Sequence, residues 1–148
     1  MKTALVKIKR LTNTATIPKA GTRYSAGVDL AADITKNILI KPNMTVKIPT
    51  GIAVELPEGT FGAIYARSGL ATKQGLRPAN CTGVIDSDYR GEIVVALYND
   101  SGHAQIIEPG QRIAQMVVTP YISVAFDECE ELKNTGRASG GFGSTGTK

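Results

Sequence analysis

The sequence predicts an all-β domain, a barrel or jelly roll of short strands. Three observations carry that expectation. Short runs rich in β-branched and apolar residues recur along the chain, with Gly, Pro and Asn between them. Only one stretch, residues 69–74, could form a helix, and a short one. At 148 residues the chain is long enough to bury a core and short enough to be one domain.

The elements follow in order. Val6 and Ile8 alternate with Lys7 and Lys9, the period of a half-exposed strand. Residues 34–40 are β-rich and stop at Lys41-Pro42-Asn43. Residues 44–49 and 51–56 follow, closed by the turn Pro57-Glu58-Gly59. Residues 60–66 read as another strand. Residues 92–99 lack alternation and are expected to be buried on both faces. Residues 104–107, 112–119 and 121–126 complete the set, with Glu108-Pro109-Gly110 as a turn.

Composition narrows the function classes. Hydrophobic residues are 42% and charged residues 20%, ordinary for a soluble globular protein. The longest apolar run, residues 93–98, is far too short to span a bilayer. Lysines interrupt the N-terminal apolar stretch, so no export signal is expected and the reading is cytoplasmic. Cys81 and Cys129 then read as reduced, buried thiols rather than a disulfide. The net charge of +4 is scattered and there is no Trp, which argues against a nucleic-acid surface and suits a small anionic ligand. The single His103 lies in a turn, and no His/Cys/carboxylate grouping has zinc spacing.

Five stretches carry candidate chemistry. The central one is Gly83-Val84-Ile85-Asp86-Ser87-Asp88-Tyr89-Arg90-Gly91, between two apolar runs. It reads as a β-hairpin, a stiff mount for Asp86 at the end of the first arm. An ordinary Asp-rich turn is the alternative. Ala26-Gly27-Val28-Asp29-Leu30 sets an acid in an apolar run, as a turn or a buried Asp accepting main-chain hydrogen bonds. Arg67-Ser68-Gly69-Leu70 ends a strand and opens the helix. Ser68 is the expected N-cap, which leaves Arg67 and free helix-start amides suited to an anion. In Gly110-Gln111-Arg112-Ile113-Ala114-Gln115, Gln115 interrupts an apolar strand and is either a core amide or a ligand donor.

The fifth stretch begins where composition changes. Residues 134–148 hold five glycines between Gly136 and Gly146 and almost nothing to pack. A disordered terminus is one reading. Arg137, Ser144, Thr145 and exposed amides also make a phosphate cradle, and Phe142 is an aromatic with no core to join. Fully extended, these 15 residues reach roughly 50 Å, enough to close over a site on this chain or a neighbour. The expected division is a domain over 1–133 and an arm over 134–148.

Taken in order, the five stretches resemble the five motifs of the trimeric deoxyuridine triphosphatase (dUTPase) family, from about Ala26 to the C-terminus. Two positions depart from the pattern. Gln111 stands where many members have Asp, and Ala138 where Gly is common. The resemblance implies a homotrimer of jelly-roll-like (β-clip) subunits with sites between subunits and the arm lent by a neighbour. It implies hydrolysis of dUTP to dUMP and pyrophosphate, which keeps uracil out of DNA and supplies dUMP for thymidylate synthesis.

The resemblance also implies residue roles. Asp86 orients and deprotonates the attacking water, with Asp88 the competing candidate. Arg67, Ser68, Gly69 and Gln115 hold the α- and β-phosphates, and Arg137, Gly143, Ser144 and Thr145 the γ-phosphate end. Uracil is read by main-chain groups around Asn80, Gly83, Val84 and Ile85. Tyr89 lies against the deoxyribose, and Phe142 stacks on the base, worth roughly 1–3 kcal/mol. Asp29 supports the phosphate or magnesium environment indirectly. Mg²⁺ is the implied cofactor, held by substrate phosphates and water with no direct protein ligand. Two rivals remain open from the sequence: a dCTP deaminase of the same fold, and a dUTP-sensing binder with a regulatory protein partner.

Overall fold

The computed structural model describes residues 3–141. Among them run β1 (Lys7–Arg10), β2 (Val28–Ala31), β3 (Ile38–Ile40), β4 (Thr45–Pro49), β5 (Ile52–Glu55), β6 (Thr60–Tyr65), α1 (Ser68–Gln74), β7 (Leu76–Pro78), β8 (Gly83–Ile85), β9 (Val94–Asn99), β10 (Gln105–Ile107) and β11 (Arg112–Pro120). The all-β expectation holds, with the one short helix in its expected position. The strands form four small antiparallel sheets, in the orders β1-β5, β10-β3, β2-β11-β6-β8 and β4-β9-β7.

One core joins them. Leu30, Ile40, Ile48, Ile52, Leu97, Ile107 and Ile113, from seven different elements or their ends, are all below 2% exposed. Their period-two spacing puts one side of each strand inward, which is why short strands suffice here. Leu70 pins α1 to this core, and the helix ends at Gly75, whose φ of 65° lets its N–H reach the Leu70 carbonyl. No helix among the described residues is long and apolar enough to cross a membrane. On the rim, Lys7 Nζ donates to Glu55 Oε1 at 2.8 Å across the β1–β5 pair and holds that exposed carboxyl below the usual carboxylate range.

Several expectations need correction. Residues 83–91 do not form the turn of a paired hairpin. The arm before them, β8, pairs with β6, whereas the arm after them, β9, lies between β4 and β7 in another sheet. Residues 26–32 are no turn: Asp29 sits inside β2, an edge strand hidden from pattern reading by that one acid. β7 was also unexpected, because three residues ending in Pro carry no periodic signal. β9 alternates after all, with Val95, Leu97 and Asn99 buried and Val94 exposed. Both cysteines are free, but Cys81 and Cys129 are exposed rather than buried. Residues 121–126 form no strand. Tyr121 N donates to the Gly59 carbonyl, and then Ile122, Val124 and Phe126 stand 87%, 68% and 96% exposed.

The β4–β5 corner shows how tightly this frame is closed. Gly51 has φ 65°, and a Cβ there would overlap Asp33 Oδ2 and come within 2.8 Å of the Ala15 side chain. Asp33 cannot yield easily, since Thr12 and Thr14 both donate to its carboxylate. Gly51→Ala is therefore expected to destabilise the fold by about 2 kcal/mol or more, measured by denaturant unfolding.

Candidate functional site

The first cluster forms where β2, β11 and β6 lie side by side. Register sets Asp29 opposite Gln115, and Gln115 opposite Tyr65, in one row across the sheet. Asp29 accepts from two arginines: Arg67 Nε on Oδ1 at 2.8 Å and Arg112 Nη1 on Oδ2 at 3.0 Å. The pairing of β11 with β2 slips between Arg112 and Ala114, a bulge that turns the strand start so that Arg112 reaches Asp29. Asp29 and Arg67 side chains are 26% and 28% exposed, while Arg112 is 61% exposed. The inner pair is the anchored one, and Arg67 also donates Nη1 to the Arg112 carbonyl at 3.4 Å.

Gln115 is half-buried and donates Nε2 to the Ala66 carbonyl at 2.9 Å. It thus braces the corner where β6 becomes α1, and keeps a second Nε2 hydrogen. Ser68 is not the N-cap: Arg67 holds that place with an extended backbone, and Ser68 is the first helical residue. Among the described residues no side chain caps the helix start, so the amides of exposed Ser68 and Gly69 have no capping acceptor there. Two guanidiniums, these amides and one carboxamide make a grip for an anion of several oxygens.

The second cluster is a cleft between β8 and β9. Ile64, Pro78, Asn80, Gly83, Val84, Ile85, Val94, Val95 and Ala96 line a cavity of about 160 Å³. Among the described residues β8 pairs only along its β6 side. On β9, pairing toward β7 runs out at Ala79, whose N–H reaches the Ala96 carbonyl at 2.8 Å. Two strand stretches therefore face each other with main-chain groups unpaired. The turn that leads from β7 into β8 is tight: Cys81 has φ 61°, and Thr82 N donates to the Asn80 carbonyl. A planar heterocycle with donors and acceptors on one edge is the chemistry such a gap can complete.

Beyond β8, Asp86 to Tyr89 form a turn closed by Tyr89 N on the Asp86 carbonyl at 3.1 Å. Arg90 Nη1 braces it from outside, on the carbonyls of Ser87 and Tyr89. The carboxylates of Asp86 and Asp88 are both exposed, with no hydrogen-bond or ion-pair partner among the described residues. Asp86 borders a second hollow with Phe61, Val84 and Tyr121. Tyr89 is half-exposed, and its hydroxyl donates to the Glu92 carbonyl at 3.0 Å.

The two clusters do not meet on this chain. β8 runs antiparallel to β6 with Gly83 opposite Ile64 and Ile85 opposite Gly62, so Asp86 comes abreast of Phe61. Arg67 follows the other end of β6. Six residues of extended chain separate the two positions by roughly 20 Å. On one chain the candidate residues therefore fall into two groups, an anion grip at one end of β6 and the β8–β9 cleft with Asp86 at the other.

Arg137 lies in the C-terminal stretch, where its Nε donates to the Gly140 carbonyl within a local turn. Among the described residues, the hydrogen bonds of 122–141 are confined to that turn. Ala138 has φ 44°, a conformation that favours the glycine more usual there. Phe142, Gly143, Ser144 and Thr145 lie outside the described residues. Gln111 accepts from Glu108 N and tightens its turn, and Arg112 takes Asp29 as its ion-pair partner. Arg112 is the residue that sequence reasoning missed; the signal was a cation opening an apolar strand three residues before Gln115. No group of three or more His, Cys, Asp or Glu among the described residues could hold a metal.

An antiparallel jelly-roll-like subunit with a cationic anion grip and a cleft walled by main chain belongs to the class of nucleotide-handling β proteins. A sequence-family model described as dUTPase matches residues 13–146. A deoxyuridine 5'-triphosphate nucleotidohydrolase of Desulfitobacterium hafniense (strain DSM 10664 / DCB-2) is 51% identical over 131 residues, 88% of this chain and 87% of its own. One from Rickettsia massiliae (strain Mtu5) is 49% identical over 142 residues, 95% of this chain and 96% of its own. A solved structure of Staphylococcus bacteriophage 80alpha dUTPase with dUPNHPP superposes with a TM-score of 0.88 at 27% identity, covering 97% of this chain and 99% of that one. The chain belongs to the dUTPase family.

Burial ranks the two ion pairs. Asp29→Ala is expected to cost about 2 kcal/mol, because Arg67 loses a largely enclosed charged acceptor. Arg112→Ala should cost less than about 1 kcal/mol, since its guanidinium is mostly solvated. Denaturant unfolding of the two variants checks the order.

Proposed function

We propose that the chain hydrolyses dUTP to dUMP and pyrophosphate at a site assembled from more than one subunit. The observation that carries the substrate assignment is the β8–β9 cleft, whose unpaired main chain suits the pyrimidine edge. Fixed N–H and C=O groups accept the uracil pattern and leave cytosine, whose pattern is reversed, with unpaired groups. Relatives about half identical over most of the chain are named for action on deoxyuridine 5'-triphosphate, which supports the same reading.

Asp86 orients a water and takes its proton as the water oxygen bonds to the α-phosphorus. The bond from that phosphorus to the bridging oxygen breaks, and pyrophosphate leaves with the electron pair. Asp86 is preferred to Asp88 because it directly follows β8, whereas Asp88 sits at the turn's outer position. Arg67, Ser68, Gly69 and Gln115 stabilise charge on the phosphoryl oxygens. Arg137 and the glycine-rich end close on the γ-phosphate, with Phe142 over the base. The donor set near the grip is cationic with one shared carboxylate, which fits a magnesium ion carried by phosphate oxygens and water rather than by a protein cage. Held so, such an ion would neutralise charge on the triphosphate. Asp29 acts through Arg67 and Arg112.

The separation along β6 supports a shared site. One chain's grip and another's cleft must face each other, and a cyclic trimer of heterologous contacts arranges this. The exposed, evenly spaced Ile122, Val124 and Phe126 suit burial against a neighbouring subunit, with 134–148 as the arm that continues over the site.

Release of pyrophosphate from dUTP, dCTP, dTTP and UTP, assayed side by side, tests the assignment: dUTP alone should turn over well, and ammonia release from dCTP would favour a deaminase instead. Asp86→Asn should keep dUTP binding and lose most turnover; full turnover removes the base assignment. Neither Arg67→Ala nor Asp86→Asn protein should be active alone. After co-refolding in equal amounts, about a quarter of the wild-type activity should return, because a shared site needs one intact half from each neighbour. No recovery rules out sharing between subunits.

A further inference from the structure

We propose that Gly91 and Glu92 are positioning residues that set the sugar specificity of the site by holding Tyr89 still. The inference rests on the reading of Tyr89 as the wall beside the sugar.

Tyr89 is bent back over the chain that follows it. Its hydroxyl donates to the Glu92 carbonyl at 3.0 Å. The ring then fills the volume in front of Gly91: a Cβ there would overlap the Tyr89 hydroxyl oxygen and sit 2.5 Å from Cζ and 2.9 Å from Cε2. Gly91 does not have a left-handed backbone, unlike Gly51 or Gly75. The demand for glycine at this position is spatial, and the three nearest atoms that make it all belong to Tyr89.

The carbonyl that receives the phenol is itself fixed to the core. Glu92 Oε1 accepts from Gly51 N at 2.7 Å. The next residue, Ile93, donates its N–H to the Ile52 carbonyl at 2.9 Å and accepts at its own carbonyl from Thr50 Oγ1 at 2.6 Å. Three bonds to consecutive residues of the β4–β5 corner thus bracket Glu92. Through them the ring position is referenced to buried Thr50 and Ile52 rather than to the exposed turn.

This bracket matters because the discrimination is difficult. dUTP and UTP differ by one hydroxyl, and an apolar wall that can shift rejects an added hydroxyl weakly. Strong exclusion needs a wall that does not yield. Tyr89 is 44% exposed, so it has space to swing outward if its anchors fail. The chain at Gly91 is tied down by Glu92. An added methyl at 91 therefore moves the ring and not the backbone, and the effect falls on specificity more than on stability.

The test is the ratio of kcat/KM for dUTP to that for UTP, measured by pyrophosphate release with the full-length protein and magnesium. Gly91→Ala should lower this ratio by at least about tenfold while kcat for dUTP changes little. Glu92→Ala should lower it as well, and Glu92→Gln should restore it, because the amide oxygen can accept the same Gly51 N–H. Tyr89→Phe, which removes only the anchoring hydroxyl, should act in the same direction and serves if Gly91→Ala does not fold. A general loss of stability would lower both rates together and leave the ratio unmoved. Folded Gly91→Ala, Glu92→Ala and Tyr89→Phe proteins with the wild-type ratio overturn the proposal while leaving dUTP hydrolysis intact. A wild-type protein that does not hydrolyse dUTP overturns the underlying function and this proposal together.

Discussion

Two consecutive strands that part company are the constraint on which the rest depends. β8 and β9 are consecutive, joined by residues 86–93, and would ordinarily pair as a hairpin. Here β8 is claimed by β6 and β9 by β4 and β7. What lies between is a slot with main-chain donors and acceptors on its walls, built from groups that most proteins satisfy internally. Two different sheets hold these strands apart, and the shared core joins the sheets.

The same four-stranded sheet that fixes one wall of the slot also builds the anion grip, but at its far end. Asp29, Gln115 and Tyr65 share a row, and the bulge at the start of β11 brings Arg112 to the carboxylate already held by Arg67. A single acid thereby orders two long cations that would otherwise lose rotamer freedom on meeting a ligand. β6 acts as the spacer, and its length sets grip and slot roughly 20 Å apart on one chain.

Much of this was legible in the sequence. Gly and Pro punctuation marked most strands, and the order of the five polar stretches marked the family. What failed, failed for physical reasons. Asp29 broke the apolar run of β2, so the stretch read as a turn or a buried acid rather than a strand, although the acid faces cations and not the core. Residues 83–91 had hairpin chemistry, yet chain proximity does not say which neighbour a strand pairs with. Residues 121–126 carried a true strand pattern, but alternation reports that one face wants burial and is silent about whose surface supplies it. Arg112 was overlooked because its importance comes from a register slip, which no composition encodes.

The open side of β8 has a consequence for solubility. An unpaired row of amides is normally an invitation to a foreign strand, and long flat edges polymerise. This one is only Gly83–Ile85, with a glycine at one end and an aspartate just past the other. Three residues are too few to template a fibril, so this length of main chain stands open to water without seeding a second sheet.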